Sequence, residues 1–66
     1  MTYRTPLDKI LTEEGRTGSW LARCCGVSRQ AVSLWRVGRS TPEQATAERA
    51  ARCLERKVGE LFAEYR

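Results

Sequence analysis

Between Thr17 and Gly38 a small residue, a glycine and two large apolar residues recur at spacings that fit two helices joined by a tight turn. Ala22 lies four residues before Gly26, Gly26 six before Val32, and Val32 three before Trp35. A small side chain at 22 lets the second helix cross closely over the first. Gly26 supplies the positive φ that ends the first helix without a Cβ penalty. Val32 and Trp35, three apart, share a helix face and point back onto the first helix and the core. Ser28, Arg29, Gln30, Ser33 and Arg36 are left facing outward on the second helix.

This stretch resembles the Cro/repressor-type (XRE-like) helix-turn-helix regulators of phages and bacteria. The resemblance is carried by Leu21-Ala22, Gly26-Val27-Ser28, Val32-Ser33, Trp35 and Gly38, then by Ser40-Thr41-Pro42 and the closing Val58-Gly59-Glu60-Leu61-Phe62. It spans roughly residues 5 to 65. It implies an all-α fold, a compact five-helix lambda-repressor-like DNA-binding domain covering residues 1–66, with helix 2 at about 18–25 and the recognition helix at about 28–37. Gly18 departs from the pattern. Relatives often carry a Gln there that clamps a backbone phosphate.

Sixty-six residues make one domain,. A chain of this size buries only about 60% of the surface its unfolded form exposes, too little to enclose a deep catalytic pocket easily. The net charge is +4, all of it in residues 1–40. No acidic residue lies between Gly15 and Pro42, a stretch that carries Arg16, Arg23, Arg29, Arg36 and Arg39. All five are Arg, the side chain suited to bidentate contact with guanine or phosphate. A basic stretch can be merely a solvated face. On this motif it favours nucleic acid as partner.

The three cysteines, Cys24, Cys25 and Cys53, are odd in number and two are adjacent, which does not suggest a disulfide framework,. Cys25, next to Gly26, reads as a small core residue. Cys24 is open between an inward position and a redox-active one. With no His and no Cys-x-x-Cys, a metal site is not expected, nor is any cofactor or small-molecule ligand,. The absence of a Gly-rich phosphate loop and of paired catalytic carboxylates argues against an enzyme. Free thiols fit a reducing compartment, and no signal peptide or long apolar span stands out, so a soluble cytoplasmic protein is expected, with no membrane partner.

Five short helices and no strand are expected. Thr5 caps the first, with Pro6 at its start, Asp8 in its first turn, and Leu7, Ile10 and Leu11 as its apolar stripe,. Gly15 stops it. Thr17 caps the second helix, which turns Leu21 and either Cys24 or Cys25 inward. Ser28 caps the third, which ends at Gly38. Thr41-Pro42-Glu43-Gln44 reads as a capping box for the fourth, with Ala47, Ala50, Ala51 and Leu54 as its inner face,. Val58, Leu61, Phe62 and Tyr65 repeat the same spacing in a fifth. Residues 55–57 allow either a break or one continuous helix from Pro42 to Tyr65.

The expected function is sequence-specific binding to double-stranded DNA and transcription regulation, as a small Cro-like repressor. By the family's contact positions, the base readers are Ser28, Arg29, Gln30 and Ser33, entering the major groove at the start of the third helix. Thr17, Ser19, Arg36, Arg39 and Ser40 are the expected phosphate contacts. Leu34 is left between a thymine methyl and burial against helix four. Trp20 is left between a neighbouring helix, a dimer partner and the DNA backbone. Relatives bind palindromic operators as dimers, and Leu61, Phe62 and Tyr65 are the candidate homodimer surface. The alternatives are an antitoxin or other protein-interaction module, and an excisionase-like accessory factor.

Overall fold

Four residues in the left-handed conformation divide the chain into its helices. In the computed structural model, which describes residues 3–65, three of them are Gly15, Gly26 and Gly38, with φ of 68°, 74° and 80°, and the fourth is Glu55 at 55°. They separate α1 (Pro6–Glu13), α2 (Gly18–Cys25), α3 (Arg29–Val37), α4 (Gln44–Leu54) and α5 (Val58–Leu61), after which Ala63–Tyr65 form a single 3-10 turn. No strand occurs among the described residues. The radius of gyration is 10.3 Å, close to the roughly 11 Å of a fully compact chain of this length.

The first three helices start where a hydroxyl can cap them. Thr5 accepts from the Asp8 N–H at 3.1 Å, Thr17 from Trp20 at 3.0 Å and Ser28 from Ala31 at 3.2 Å. Each hydroxyl satisfies one amide that has no partner inside its helix. The helices stop where a left-handed residue lets the next amide reach back. Arg16 N–H donates to the Leu11 carbonyl at 2.8 Å, Val27 to Ala22 at 3.0 Å and Arg39 to Leu34 at 2.9 Å,.

The core joins all five helices. Leu7 and Leu11 of α1, Leu21 and Ala22 of α2, Val32 and Trp35 of α3, the alanines and Leu54 of α4, and Leu61 with Phe62 are all buried. Cys25 is the inward cysteine of α2. Ala47, Ala50 and Ala51 give α4 a flat inner face that packs mainly on α2 and α5. Phe62 meets Trp35 edge-on, with ring centroids 5.9 Å apart, and Tyr65 meets Phe62 in the same way at 6.5 Å. Such edge-to-face pairs place a positive ring edge on a negative ring face.

Three expectations about the second half are corrected. The capping box at Thr41 does not form. The Thr41 hydroxyl donates instead to Glu64 at 2.6 Å, and the Pro42 carbonyl accepts the Tyr65 hydroxyl at 2.6 Å. With both residues holding the C-terminal turn, α4 begins at Gln44 with Glu43 as N-cap and no side-chain cap. Of the two readings left open for the Pro42-to-Tyr65 span, the break is the one that occurs. Glu55 breaks it, with Arg56 N–H bonded to the Ala51 carbonyl at 2.9 Å. The fifth helix is only four residues long, because Phe62 is extended at φ −127°. Its start is aided by the Glu60 carboxylate, which accepts from the Lys57 N–H at 3.3 Å.

The third correction is covalent. Cys24 and Cys53 form a disulfide between α2 and α4, leaving Cys25 as the free thiol. Adjacent residues on a helix point about 100° apart. Cys25 therefore enters the core while Cys24 faces the flank of α4. A bridge between residues 29 apart restricts the unfolded chain by about 3–4 kcal/mol in the chain-entropy picture. The expectation of a reducing compartment rested on free thiols and loses that basis. No described helix is long and apolar enough to cross a membrane.

Glu55 adopts a left-handed conformation that costs a residue with a Cβ about 1–2 kcal/mol, of which glycine's greater unfolded-state entropy offsets part. Glu55→Gly is expected to raise unfolding free energy by about 0.5–1 kcal/mol, read as a higher urea midpoint at unchanged slope. An unchanged or lower midpoint would show that the Glu55 backbone carries no such strain.

Candidate functional site

The starts of α2 and α3 open onto one groove. It is lined by Gly18 and Ser19 from α2 and by Ser28, Arg29, Gln30, Ser33 and Arg36 from α3. Apart from Gly18 and the half-buried Arg36, these residues are exposed. Two features of the local sequence build the site. The Gly26 turn brings the beginning of α3 beside the beginning of α2. The caps at Thr17 and Ser28 occupy only the third amide of each helix. The amides of Gly18, Ser19, Arg29 and Gln30 have no partner within their own helices, and both helix dipoles are positive at this end.

Gly18 forms part of the floor. A Cβ there would lie 3.5 Å from Val32 Cγ1 and 3.9 Å from an Arg36 guanidinium nitrogen. That is ordinary contact, so a side chain at this position would sit in the groove. The glycine keeps the entrance open and leaves Arg36 visible from it.

Arg36 is less free than a basic surface residue. Its guanidinium holds the Asp8 carboxylate, with Nη2 2.7 Å and Nε 2.8 Å from the same oxygen. It also reaches the Thr12 hydroxyl at 3.4 Å. Its backbone carbonyl accepts the Thr5 hydroxyl at 2.8 Å. Both ends of the residue therefore fasten α3 to α1, and Asp8 offsets its charge. The acid-free stretch seen in the sequence is not acid-free in space. Arg29 is the groove's unpaired cation among the described contacts.

Of the nine expected contact residues, six line this groove: Ser19, Ser28, Arg29, Gln30, Ser33 and Arg36. Thr17 is exposed at the α2 cap, immediately before it. Arg39 and Ser40 are exposed beyond the other end of α3, and Ser40 lines a smaller apolar cleft with Thr5, Trp35 and Phe62. The structure does not bring these two into the groove.

Helical spacing places Gln30, Ser33, Leu34 and Val37 on the face of α3 opposite Val32 and Trp35. Leu34 is 36% and Val37 39% exposed, the large exposed apolar residues among those described. Burial of Leu34 against helix four, one of its two readings, does not occur. Val37 was missed altogether. Its signal was the i, i+3, i+4, i+7 series from Gln30. Trp20 packs half-buried on its own core, and Arg16 lies over its ring at 4.5 Å from the centroid. That geometry is a cation–π contact. Leu61 and Phe62 are buried, and Tyr65 is half-buried with its hydroxyl bonded to Pro42. All three serve their own chain, so they do not form the exposed homodimer surface expected of them.

Burial pushes the Cys25 thiol above its ordinary range, with Arg49 opposing. A thiol held protonated in the core is a poor nucleophile. No protein-family model, curated protein or solved structure matches the chain.

Asp8→Asn removes the counter-charge of Arg36. It is expected to cost about 1 kcal/mol of stability at low ionic strength and less at high salt, because the pair is partly exposed. Urea unfolding at the two salt concentrations checks this. A loss independent of salt would mean that Asp8 acts through α1 and not through its charge.

Proposed function

We propose that this protein binds double-stranded DNA sequence-specifically and regulates transcription, as a small Cro-like repressor whose α3 enters the major groove. The observation that carries the reading is the convergence of two helix N-termini and the polar side chains of Ser28, Arg29, Gln30 and Ser33 on one open groove. Helix starts supply amides and a positive dipole end for phosphate. Arg and Gln supply the bidentate donors that distinguish guanine and adenine in the major groove.

In this reading α2, the Gly26 turn and α3 form a helix-turn-helix of the Cro/repressor type. Arg29 pairs with guanine O6 and N7, and Gln30 with adenine N6 and N7. Ser28 is both cap and reader, and Ser33 hydrogen-bonds a base edge. Thr17, Ser19 and the free amides of α2 hold the phosphate backbone on one side of the groove. Arg39 and Ser40 hold it at the far end of α3. Arg36 acts chiefly by fixing α3 on α1. The protein binds a palindromic operator as a homodimer that meets through a surface other than Leu61, Phe62 and Tyr65.

Leu34 and Val37 favour a second reading, because exposed apolar residues on a polar face also suit a protein partner. In that case the chain is an interaction module, such as an antitoxin. On DNA the same two side chains meet thymine methyl groups in the major groove.

Selection of duplexes from a random pool at physiological salt tests the proposal. Enrichment of a palindrome supports it. Binding that enriches nothing and vanishes as salt rises would reduce the site to a basic surface and favour the protein-partner reading. On the selected duplex, Arg29→Ala is expected to relax one base position at a cost of about 1–3 kcal/mol. Arg39→Ala is expected to weaken all sequences alike and lower the salt slope by about one. Replacing thymidine by deoxyuridine beside the Gln30 contact should weaken binding about fourfold per methyl group met. Leu34→Ala should abolish that sensitivity. No change on removing the methyls would take Leu34 and Val37 out of the DNA interface.

A further inference from the structure

We infer that the Cys24–Cys53 bridge is an exchange site for a small acidic thiol, and that its opening releases α4 from α2. The inference does not depend on DNA binding. Three observations carry it: where the bridge sits in the fold, which of its half-cystines is exposed, and what charge surrounds it.

The bridge lies across the contact between α2 and α4, one of the two most extensive helix contacts in the molecule. Cys24 is exposed, whereas Cys53 is half-buried against the core. The proposed point of attack is therefore Cys24, the more exposed half-cystine. Access to one sulfur is a primary determinant of exchange rate.

The surroundings are basic. Arg23 and Arg52 are the exposed chain neighbours of the two half-cystines. Arg49 lies four residues before Cys53, on the same face of α4, and its charge is felt at the Cys25 thiol,. No acidic residue occurs in α2. Glu48 lies four residues before Arg52 and opposes its charge, but is turned about 140° from Cys53 around α4, and Arg56, the next basic residue along, is paired with Glu14 at 3.0 Å,. Glu55 follows α4 in the left-handed turn, outside the helical register. Such a field attracts an anionic thiol and stabilises the thiolate that leaves.

The exchange balances with two equivalents of thiol, with glutathione as the probe. The first thiolate attacks Cys24 Sγ, the Cys24–Cys53 bond breaks, and its electron pair leaves on Cys53 Sγ. A second thiolate attacks the glutathione sulfur of the mixed disulfide and releases Cys24 as thiolate. Glutathione disulfide is the oxidised product, and the two thiol protons are available to Cys24 and Cys53. Cys25 is buried and takes no part.

The test uses the full chain under native conditions. Samples incubated with millimolar glutathione are quenched with an alkylating agent, and adducts are located by mass spectrometry. Reduction in the folded state, with a transient glutathione adduct on Cys24 and none on Cys25, is the expected result. Hydrogen exchange in α4 should then rise at least about tenfold, while the oxidised protein stays protected. The double variant Arg49→Gln, Arg52→Gln should slow glutathione about threefold at low salt and mercaptoethanol less, because the attacking thiolate of glutathione carries two net negative charges and that of mercaptoethanol one. Circular dichroism confirms that the variant is folded. A bridge that resists glutathione until the protein melts would overturn the exchange site, as would an adduct on Cys25. Equal slowing of both thiols would overturn the preference for an acidic thiol. Unchanged exchange in α4 after reduction would overturn its release.

Discussion

The fold depends on where the helices stop. Helices of eight to eleven residues, as α1 to α4 are, are marginal on their own in water. Each must lay its apolar face on a neighbour at once, and that requires the chain to reverse within a few residues. Left-handed backbone at Gly15, Gly26, Gly38 and Glu55 performs each reversal. It also supplies partners for carbonyls at the ends of the helices. Gly38 has a further constraint. A Cβ there would lie 3.4 Å from the Thr5 methyl, so the end of α3 and the start of α1 are close neighbours.

That approach sets up the clasp between α1 and α3. The Thr5 hydroxyl accepts from its own helix and donates to the Arg36 carbonyl, while the Arg36 guanidinium returns to Asp8 in the first turn of the same helix. A residue that sequence spacing assigns to a ligand-facing surface is thus also a structural fastener. Stability and binding draw on the same side chain, and a charge that would serve a phosphate is partly offset by a carboxylate twenty-eight residues away.

Most of α1 to α3 was legible because its signals are local. A hydroxyl before a helix, a glycine after it and apolar residues at three and four act within one turn. The boundaries of α2, the inward faces of α1 and α4, and the gathering of Ser28 to Ser33 followed from them. The second half was less legible because long-range partners overrode local signals. Thr41 looked like a cap, yet Glu64 holds its hydroxyl. Glu55 carries no sequence mark of a left-handed residue and adopts that state because Leu54 and Leu61 both enter the core. Parity of the cysteine count was a poor guide to pairing, since pairing depends on which side chain of an adjacent pair faces α4. The helical series from Gln30 marks Val37 as outward, whereas Leu34 could be placed only once α4 was seen to pack mainly on α2 and α5.

The cross-link between Cys24 and Cys53 has a topological consequence. It closes part of the chain into a covalent ring that holds the Gly26 turn, all of α3 and nearly all of α4. The segments carrying α1 and α5 hang from this ring as two open arms. A break in the backbone between Arg39 and Glu43 would leave the molecule in one piece. The arms answer to ordinary fraying, whereas the ring keeps its circular connectivity even when every helix in it has melted.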